Sequence, residues 1–363
     1  MIISKHMKIT NIPLLIIIMA VFLLYVSARF HNDTEKNSKT TERGDIRIMF
    51  YNVENLFDTI DDPLTNDNEF TPSGQKKWDS WRYWHKLNNI FKVIAAAGES
   101  EPPEIIGFAE IENKNTLSDL IYNTLLSKYK YTIVHKDSPD KRGIDAAIIY
   151  RPDKIKKVSE EFIKIKLKGS SKHATRDILY MAFIPNPPDT VHLFINHWPS
   201  RYGGELASET ARIEAALTLK SKTDSLLKKN ACSKIIIMGD FNDNPGNKSI
   251  SKELQAIQPA TGISCKYLYN LSFPLLKSSQ PGTLKYQGQW FMFDQAIVSG
   301  GILKKNGTYT TQEYLKIFNK DFLLESDERH LGKQPFRTYN GLRYKGGFSD
   351  HLPVLLDLQT RNN

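Results

Sequence analysis

One segment decides the fold: Ile235-Ile236-Ile237-Met238-Gly239-Asp240, a run of large apolar side chains that ends in a glycine and a carboxylate. A short apolar run of this kind is typical of a buried β-strand. Because an unpaired ionised group at the edge of a core costs several kcal/mol, a carboxylate at the end of such a strand needs a reason. The segment predicts a strand that carries a functional acid to the rim of a sheet.

Three other segments repeat this arrangement, in which an apolar run leads into Glu, His or Asp. They are residues 105–109 before Glu110, residues 194–196 before His197, and residues 348–349 before Asp350 and His351. Separate strands that all end in such residues are expected to converge on something charged. Carboxylate and imidazole groups gathered at one rim indicate a hydrolytic metal site.

The composition is that of a globular protein with a large core. The chain has 363 residues, of which 40% are hydrophobic and 25% are charged. No internal repeat or heptad pattern is present, which favours a single large mixed domain over a repeat protein. The formal net charge of +9 favours polyanionic partners such as nucleic acid or anionic lipid.

The N-terminal segment has the pattern of an export signal. Lys5 and Lys8 precede an apolar run at 14–26, and Ser27-Ala28 supplies the small residues of a cleavage site. We predict a signal peptide over residues 1–28, with an uncleaved N-terminal membrane anchor as the alternative, because the run is shorter than the ~20 residues of a spanning helix. The folded domain is therefore expected outside the cytoplasm, whether periplasmic, secreted or membrane-anchored.

The rest of the chain divides into a spacer and a folded domain. Residues 29–44 are polar and lack apolar periodicity, so they predict a disordered spacer before a catalytic domain at 45–363. Cys232 and Cys265 flank different predicted elements, so the sequence gives no geometric reason to join them, and we expect free thiols. The chain is expected to be a monomer.

About ten strands and four helices are predicted from apolar periodicity. The strands are expected at 46–51, 104–109, 131–135, 144–150, 162–167, 178–184, 191–196, 234–238, 291–298 and 353–358, and the helices at 79–97, 116–126, 206–227 and 249–255. Strands occur in adjacent groups as well as in alternation with helices, which fits a doubly wound sheet poorly. The prediction is an α+β fold with two packed sheets and helices outside.

Three local patterns give further expectations. The helix at 79–97 carries Trp81 and Trp84 at helical spacing with aliphatic residues, which predicts a packed aromatic stripe. The lysines at 164, 166 and 168 alternate with apolar residues, which predicts the solvent face of an edge strand. Asn340-Gly341, inside 336–344, predicts a hairpin with a type I′ turn.

The most specific local motif is Gly-Asp-Phe-Asn at residues 239–242. Asp240 and Asn242 stand two residues apart in an extended turn, where an acid can align a water molecule and an amide can hold a phosphate oxygen. An Asx-rich turn after a strand is the alternative interpretation. Asp294, an isolated acid in an apolar strand, is a natural partner to orient the ring of His351.

The ordered set of residues resembles the endonuclease/exonuclease/phosphatase superfamily, which includes deoxyribonuclease I, abasic-site endonucleases, inositol polyphosphate 5-phosphatases and sphingomyelinases. The resemblance covers about residues 46–358. The residues that carry it are Asn52-Val53-Glu54, Glu110, Arg176, Asn196-His197, Gly239-Asp240-Phe241-Asn242, Asp294 and Ser349-Asp350-His351. It implies a four-layer α/β/β/α sandwich with two mixed β-sheets packed face to face.

The resemblance also implies roles for these residues. Glu110 would be the main Mg²⁺ ligand (with Mn²⁺ or Ca²⁺ as substitutes), and Asn52, Glu54 and Asp350 would surround the same metal. Catalytic roles fall to Asp240, His351, His197, Asp294 and Asn242. From the residues themselves, the guanidinium groups of Arg176 and Arg201, together with Asn196, are expected to bind substrate phosphate.

We therefore expect an exported, Mg²⁺-dependent phosphodiesterase, foremost a nuclease of the deoxyribonuclease I type with nucleic acid as substrate. A phospholipid or inositol-phosphate phosphoesterase of the same superfamily is one alternative. An inactive extracellular binding module on this fold is the other.

Overall fold

Two seven-stranded mixed sheets form the centre of the protein. The structure is a computed structural model that describes residues 42–167, 175–185, 189–259, 262–277 and 281–361. The predicted signal peptide or anchor, and the predicted spacer apart from residues 42–44, lie outside the described residues. Within the described ranges, no helix is both long and apolar enough to span a bilayer.

The helices and strands follow in chain order. The α-helices are α1 (Ser80–Gly98), α2 (Lys114–Tyr122), α3 (Glu205–Lys229) and α4 (Gly300–Leu303). The strands are β1 (Ile46–Leu56), β2 (Ile105–Ile111), β3 (Thr132–Val134), β4 (Asp145–Tyr150), β5 (Lys156–Ile163), β6 (Ile178–Ile184), β7 (Val191–His197), β8 (Lys234–Asp240), β9 (Ala256–Ile257), β10 (Leu268–Asn270), β11 (Leu284–Tyr286), β12 (Gln289–Phe291), β13 (Asp294–Ser299), β14 (Thr308–Tyr309), β15 (Leu315–Ile317), β16 (Leu324–Ser326), β17 (Lys333–Pro335), β18 (Tyr339–Asn340), β19 (Arg343–Tyr344) and β20 (Val354–Thr360).

The first sheet has the order β14-β20-β1-β2-β4-β3, with β15 also paired to β20. Its centre is the parallel pair β1 and β2, which antiparallel β20 and β4 flank. The carboxyl ends of β1 and β2 therefore meet the amino end of β20 at one rim.

The second sheet has the order β5-β6-β7-β8-β13-β10-β9. Strands β7 and β8 are parallel, and the register pairs His197 with Asp240. Strand β13 runs antiparallel to β8, and the register pairs Asp294 with Asp240. Three predicted site residues thus stand side by side on neighbouring strands, because the carboxyl ends of β7 and β8 meet the amino end of β13.

Alternating side chains divide the core into three layers. Ile48 and Phe50 of β1 face the second sheet, where Ile195 and Met238 lie among the buried residues between the sheets. The opposite face of the first sheet packs against α1 and α2, and the outer face of the second sheet packs against α3. Successive side chains alternate between the two faces of each sheet because the strands are pleated. The predicted four-layer α/β/β/α sandwich is confirmed.

The helix α1 begins at the expected place but buries a different stripe. The Asp79 side chain caps its first turn by accepting a hydrogen bond from Arg82 N at 2.9 Å. Its buried face consists of Tyr83, Lys86, Leu87, Asn89, Ile90, Val93, Ile94, Ala97 and Gly98. Trp81 is 66% exposed and Trp84 is 37% exposed, so the prediction that both tryptophans pack in the core is wrong.

Two strand predictions differ from the structure for identifiable reasons. The strand expected at 162–167 ends at Ile163 and begins at Lys156, because most of this edge strand is polar and exposed and has no apolar pattern. The lysines at 164 and 166 follow the edge strand, and position 168 lies outside the described residues. The strand expected at 291–298 is interrupted, since Met292 N donates to Asn244 Oδ1 at 2.8 Å and Phe293 O accepts from Phe241 N.

The remaining elements are shifted or shortened. The helix expected at 116–126 ends at Tyr122 and is followed by a 3₁₀ turn at Leu125–Tyr129. The helix expected at 249–255 is a single π-helical turn at Ser249–Glu253. The hairpin forms between β18 and β19, but its turn residues are Gly341 and Leu342, and of these Gly341 alone has positive φ. This is the pattern of a type II′ turn and corrects the type I′ prediction.

The two cysteines form a disulfide bond, so the expectation of free thiols is wrong. Their Cα atoms lie 4.9 Å apart, within the range that a disulfide requires. Cys232 precedes β8, and Cys265 precedes β10. The sequence did not reveal the pairing because these segments approach each other only when the second sheet forms.

Candidate active site

The predicted site residues come from strand ends at one rim of both sheets. Asn52 and Glu110 lie near the carboxyl ends of β1 and β2, and Asp240 ends β8. Asn52 Nδ2 donates to Asp240 Oδ2 at 3.1 Å, across the gap between the two sheets. The convergence expected from the strand-end pattern is therefore present in the structure.

A chain of three side chains forms the centre of the site. His351 Nδ1 lies 2.7 Å from Asp294 Oδ2, and His351 Nε2 lies 3.8 Å from Asp240 Oδ2. All three side chains are buried. The hydroxyl of Ser349 supports this arrangement, since it donates to Asn52 O at 2.7 Å and accepts from His351 N at 3.1 Å.

The pKa values of both central groups are raised above their ordinary values. Burial, with the charge on Asp294, raises the pKa of Asp240 to about 7 although His351 opposes the shift. Burial lowers the pKa of His351, but Asp294 and Asp240 together raise it well above the ordinary value. Near neutral pH the site can therefore present a carboxylate that accepts a proton beside an imidazolium that donates one.

Glu110 lies beside this chain. Its Oε1 accepts from Asn52 Nδ2 at 3.5 Å, and its Oε2 accepts from the backbone N of Asn55 at 2.8 Å. Asn52 Oδ1 accepts from Glu54 N at 3.1 Å, so in this structure Asn52 bridges Glu110 and Asp240 through its amino group. Asn52 thus holds the two carboxylates in place.

The backbone at the site adopts the left-handed region at four non-glycine residues. They are Glu54, Asn55, Glu110 and Asn242, with φ of 55°, 54°, 66° and 51°. The pairing of β1 with β2 shifts register between Asn52 and Leu56, which marks a bulge at the same place. Non-glycine residues in this region cost about 1 kcal/mol or more each, and such strain clusters at functional sites. The strain turns Glu110 and Asn242 toward the rim.

The predicted metal ligands form two neighbouring groups. Glu110 and Asn52 adjoin Asp240, whereas Glu54 and Asp350 share one guanidinium. Arg337 Nε donates to Glu54 Oε1 at 3.2 Å, and Arg337 Nη2 donates to Asp350 Oδ2 at 3.0 Å. A hard divalent cation prefers carboxylate oxygens and needs only one or two of them, so Glu110 fits this requirement. The bulge that aims Glu110 at the rim is the structural feature that supports a cation there.

His197 lies beside Glu110 and Asp240. Its Nε2 lies 3.8 Å from Glu110 Oε1 and 3.9 Å from Asp240 Oδ2, and its Nδ1 is buried without a hydrogen-bond partner. Burial, followed by the charges of Arg176 and Arg142, lowers the pKa of His197 well below its ordinary value. A neutral imidazole here can hydrogen-bond to a phosphate oxygen or to water without adding charge.

The three residues predicted to bind phosphate have donors engaged within the fold. Asn196 is fully buried, with its amino group near Met238 O at 3.3 Å and its Oδ1 accepting from Trp198 Nε1 at 3.0 Å. Arg176 donates to Asp140 Oδ2 at 2.9 Å and to Trp198 O at 2.6 Å. Arg201 donates to Asn242 O at 2.8 Å and to Asp243 Oδ1 at 2.9 Å. These contacts hold the three residues in place within the fold, and their binding of phosphate stays a prediction.

Asn242 is held in place from several sides. Its backbone N donates to Asp240 Oδ1 at 2.9 Å, and its Nδ2 donates to Trp198 O at 3.1 Å. Gly239, which precedes Asp240, is required by close packing, since a Cβ there would lie 2.3 Å from Asn196 O. The turn that carries Asp240 and Asn242 is therefore rigid.

Two supporting residues were missed from the sequence. Lys86 of α1 is buried behind the acids and donates to Thr338 Oγ1 at 2.5 Å and to Phe348 O at 2.6 Å. Burial lowers its pKa to about 8, while Glu54 and Asp350 oppose that shift. A lysine inside an apolar helix stripe is a signal that could have found it. Asp243 accepts from Ser249 Oγ at 2.6 Å and pairs with Arg212 at 2.9 Å, which anchors the turn.

Comparison with solved structures places this architecture among known ones. Zebrafish (D. rerio) TDP2 complexed with a single-strand DNA product is 13% identical and aligns over 87% of this chain and 99% of that chain, with a TM-score of 0.54. The catalytic domain of human Nocturnin is 16% identical over 87% of this chain and 94% of its own, with a TM-score of 0.52. The mannosyl-6-phosphatase Bt3783 of Bacteroides thetaiotaomicron is 19% identical over 86% and 99%, with a TM-score of 0.50. Identities this low show a shared fold alone.

Sequence comparison identifies the family. No curated protein matches the chain. A family model described as the endonuclease/exonuclease/phosphatase family matches residues 47–360, which include every strand of both sheets after the first residue of β1 and all the site residues named above. The strand-end acids and histidines, the four-layer sandwich and this match agree, and the chain belongs to the endonuclease/exonuclease/phosphatase family.

Proposed function

We propose that this protein is an exported, divalent-cation-dependent phosphodiesterase that hydrolyses nucleic acid in the manner of deoxyribonuclease I. The observation that carries the proposal is the chain from Asp294 through His351 to Asp240, next to Glu110 and Asn242 at one rim. Catalysis of phosphoester hydrolysis needs an aligned water, a proton donor and stabilisation of charge on the phosphate oxygens. Side chains suited to each of these tasks stand in this one site.

Each side chain has a separate role in the hydrolysis. Asp240, with a pKa of about 7, orients the attacking water and accepts its proton. His351, held by Asp294, donates a proton on the opposite side of the phosphate. Asn242 and the neutral His197 hydrogen-bond to the non-bridging oxygens.

A divalent cation completes this chemistry when bound. Mg²⁺, with Mn²⁺ or Ca²⁺ as substitutes, would be held by Glu110, with Asn52, Glu54 and Asp350 around it, and would stabilise charge on the phosphate. Because Arg337 neutralises Glu54 and Asp350, Glu110 is the carboxylate we expect to contribute most to cation affinity.

A nucleic-acid substrate is favoured by charge and by exposed groups near the site. The net charge of +9 attracts a polyanion. Arg142 lies close enough to influence His197 and has a half-exposed side chain, and Tyr202 is 93% exposed next to the Arg201 turn. Both can contact a strand beyond the scissile phosphate. The structurally similar TDP2 holds a single-strand DNA product, which is compatible with this choice.

The alternatives fit the described residues less well. An inositol-phosphate enzyme would need free basic groups before the last motif. Of the four basic residues there, Lys333, Arg337 and Lys345 are paired with acids at 2.6, 3.0 and 3.0 Å, and Arg343 is exposed. A phospholipid enzyme would need an apolar hairpin for the membrane, and the β18–β19 hairpin presents Arg343 as well as Leu342. An inactive binding module would have no use for the shifted pKa values of Asp240 and His351.

Export is supported by two independent features of the chain. Residues 1–28 have the pattern of a signal peptide or membrane anchor. The bond between Cys232 and Cys265 is stable in oxidising compartments and rare in a reducing cytoplasm. We propose that the domain lies outside the cytoplasm, where extracellular nucleic acid is its substrate.

The proposal is tested with a substrate panel of plasmid DNA, RNA, sphingomyelin, inositol phosphates and mannose 6-phosphate, each with Mg²⁺ and with EDTA. We expect Mg²⁺-dependent nicking of plasmid DNA that Asp240→Ala and His351→Ala abolish. Asp153→Asn is the control, because this exposed acid lies beyond the opposite end of β4.

Each other outcome assigns a different function. Hydrolysis of lipid or sugar phosphate without cleavage of nucleic acid would overturn the nuclease proposal and keep the phosphoesterase. Tight binding of a substrate without any turnover would support the binding module.

A further inference from the structure

A second group of potential metal ligands lies in the connection between β3 and β4. His135 directly follows β3, Asp145 begins β4, and Asp137 lies between them. His135 Nε2 is 3.3 Å from Asp145 Oδ2, and His135 Nδ1 is 3.9 Å from Asp137 Oδ1. One ligand atom from each of the three side chains lies within 4.8 Å of the other two. This is the separation expected of groups that share one ion.

Two buried atoms in this region have no hydrogen-bond partner among the described residues. One is His135 Nε2, on a side chain that is 2% exposed and aimed at Asp145. The other is Oδ1 of Asp177, a buried acid within electrostatic range of Asp145. Asp145 is buried as well and uses its Oδ1 to accept from Ser138 N at 2.9 Å. Buried polar atoms without hydrogen-bond partners are costly, so these two atoms favour a ligand, although Lys164 and Lys136 lie within electrostatic range of Asp177.

A solvent-accessible route to the group is present. Asp137 and Asp145 line a cavity of about 570 Å³ that opens to the surface. Five further acids line the same cavity: Asp58, Asp61, Asp62, Glu112 and Asp140. A concave surface with this excess of negative charge raises the local concentration of cations.

We propose that His135, Asp137 and Asp145, with Asp177 nearby, bind a divalent transition-metal ion at a site separate from the catalytic rim. One imidazole nitrogen combined with carboxylate oxygens suits Mn²⁺ or Zn²⁺, whereas Mg²⁺ and Ca²⁺ prefer oxygen ligands alone. The open side at the cavity leaves room for water as a further ligand.

The ion would fix the connection that supports one wall of the active site. Asp140 lies in this connection and accepts from Arg176, which in turn donates to the carbonyl of Trp198, the residue after His197. Ordering of the β3–β4 connection therefore extends through these contacts to the site. The ion has a positioning role and does not touch substrate.

Zinc binding in excess Mg²⁺ tests the proposal, because Mg²⁺ then fills the oxygen-ligand site. Isothermal titration with Zn²⁺ is expected to show one equivalent bound to the wild-type protein. His135→Gln is expected to weaken binding at least tenfold, and Asp137→Asn by a smaller factor, since an exposed ligand contributes less. Asp240→Asn is the matched control, because it alters the other His and Asp cluster, in which a zinc ion could also bind. It is expected to bind Zn²⁺ as the wild type does.

The variants are checked for folding by circular dichroism. Asp137 is 85% exposed and its replacement should not disturb the fold, so this variant keeps the test valid if His135→Gln is unstable. The proposal is overturned if the wild-type protein binds no Zn²⁺ under these conditions. It is also overturned if His135→Gln and Asp137→Asn bind like wild type, or if only Asp240→Asn loses binding.

Discussion

At the scale of single residues, the active site depends on two groups whose charges are set by each other. Asp240 accepts two hydrogen bonds, from Asn52 and from the backbone of Asn242, yet burial still raises its pKa to about 7. His351 stays protonated because Asp294 and Asp240 both face it. Since both groups interact, their titrations are coupled and the observed pKa values belong to the pair.

We predict a bell-shaped dependence of kcat/KM on pH. Activity should rise as pH increases through about 7, when Asp240 loses its proton, and should fall at higher pH, when His351 loses its own. In Asp294→Asn the charge that raises the pKa of His351 is removed, so the alkaline limb should move to lower pH and kcat should fall roughly 100-fold or more. Steady-state kinetics on a chromogenic phosphodiester across the pH range provide the measurement.

The control for this prediction is again Asp153→Asn, whose pH profile should match that of the wild type. An alkaline limb that stays in place in Asp294→Asn would show that His351 is not the proton donor, even if kcat decreases.

The sequence predicted Asp294, His351 and Asp240 as site residues, but it did not predict the contacts of the arginines and lysines around them. Asp240 ends an apolar strand, Asp294 begins one, and His351 shortly precedes β20, so the sequence alone shows a polar residue at the edge of each apolar run. Arg337 pairs with Glu54 across 283 residues, and nothing near either residue indicates the partner. The apolar stripe around Lys86 marks that residue in the sequence, but its partners Thr338 and Phe348, like the partners of Arg201, are supplied only by the tertiary structure.

At the scale of elements, strands with a continuous apolar core were predicted within a few residues. Strand β6 has the expected bounds, and β7 and β8 extend the predicted strands to include His197 and Asp240. Edge and hairpin strands were predicted less well, because one face or both faces of such strands are polar. Of the short strands after Gly300, β14 and β15 pair with β20 in the first sheet, whereas β16 with β17 and β18 with β19 form separate two-stranded pairs.

Two glycines, Gly107 of β2 in the first sheet and Gly239 of β8 in the second, should tolerate alanine differently. A Cβ at Gly239 would lie 2.3 Å from the backbone oxygen of Asn196, whereas a Cβ at Gly107 would lie 2.4 Å from the flexible end of the Ile195 side chain. We expect Gly239→Ala to cost about 3 kcal/mol of unfolding free energy and most of the activity, and Gly107→Ala to cost about 1 kcal/mol. Urea denaturation measures both values.

Gly107→Ala is itself the matched control, because it adds the same methyl group in the inter-sheet core. Alanine at Gly239 would require β8 to move away from Asn196 of β7. Equal destabilisation of the two variants would show that the two strands can move apart there at little cost.

The stability of the protein should depend on the ionisation of Glu112, which faces the acidic residues of the loop after β1. Burial raises the pKa of Glu112 from 4.5 to about 8, and the charges of Asp58, Asp67 and Asp62 add to the shift. A carboxyl with a raised pKa favours the folded state while it is protonated. This contribution is complete below pH 4.5 and is lost as pH rises to about 8.

We therefore expect the Tm of the wild-type protein in EDTA to decrease between pH 5 and pH 8 more than the Tm of Glu112→Gln. The amide keeps an oxygen that can accept from Asp58 N, as Glu112 does at 2.5 Å, so the comparison isolates the charge. Thermal unfolding at the two pH values provides the test. A parallel decrease in both proteins would assign the pH dependence to other groups.

At the scale of the whole molecule, the active site exists because two parallel strand pairs face each other in different sheets. The pair β1 and β2 brings Asn52 and Glu110, and the pair β7 and β8 brings His197 and Asp240. The contact between Asn52 and Asp240 joins residues 188 positions apart. The order of the motifs predicted the four-layer fold, but the distances across the gap between the sheets follow only from the packing of the core.

The disulfide bond lies at the end of the second sheet that is opposite the active site, so it should contribute to stability without affecting activity. Cys232 precedes β8, whereas Asp240 ends it, so the bond and the site lie at opposite ends of the same strand. Reduction frees a chain segment whose ends are 33 residues apart, which should lower the unfolding free energy by about 2–4 kcal/mol. Because the native rim does not contact the bond, kcat and KM at 25 °C should stay unchanged in the reduced protein and in Cys232→Ser. Thermal unfolding with and without reductant, followed by activity assays on the same samples, measures both effects. If activity fell in proportion to the reduced fraction at a temperature where the protein remains folded, the two ends of the sheet would be coupled and the bond would be part of the catalytic apparatus.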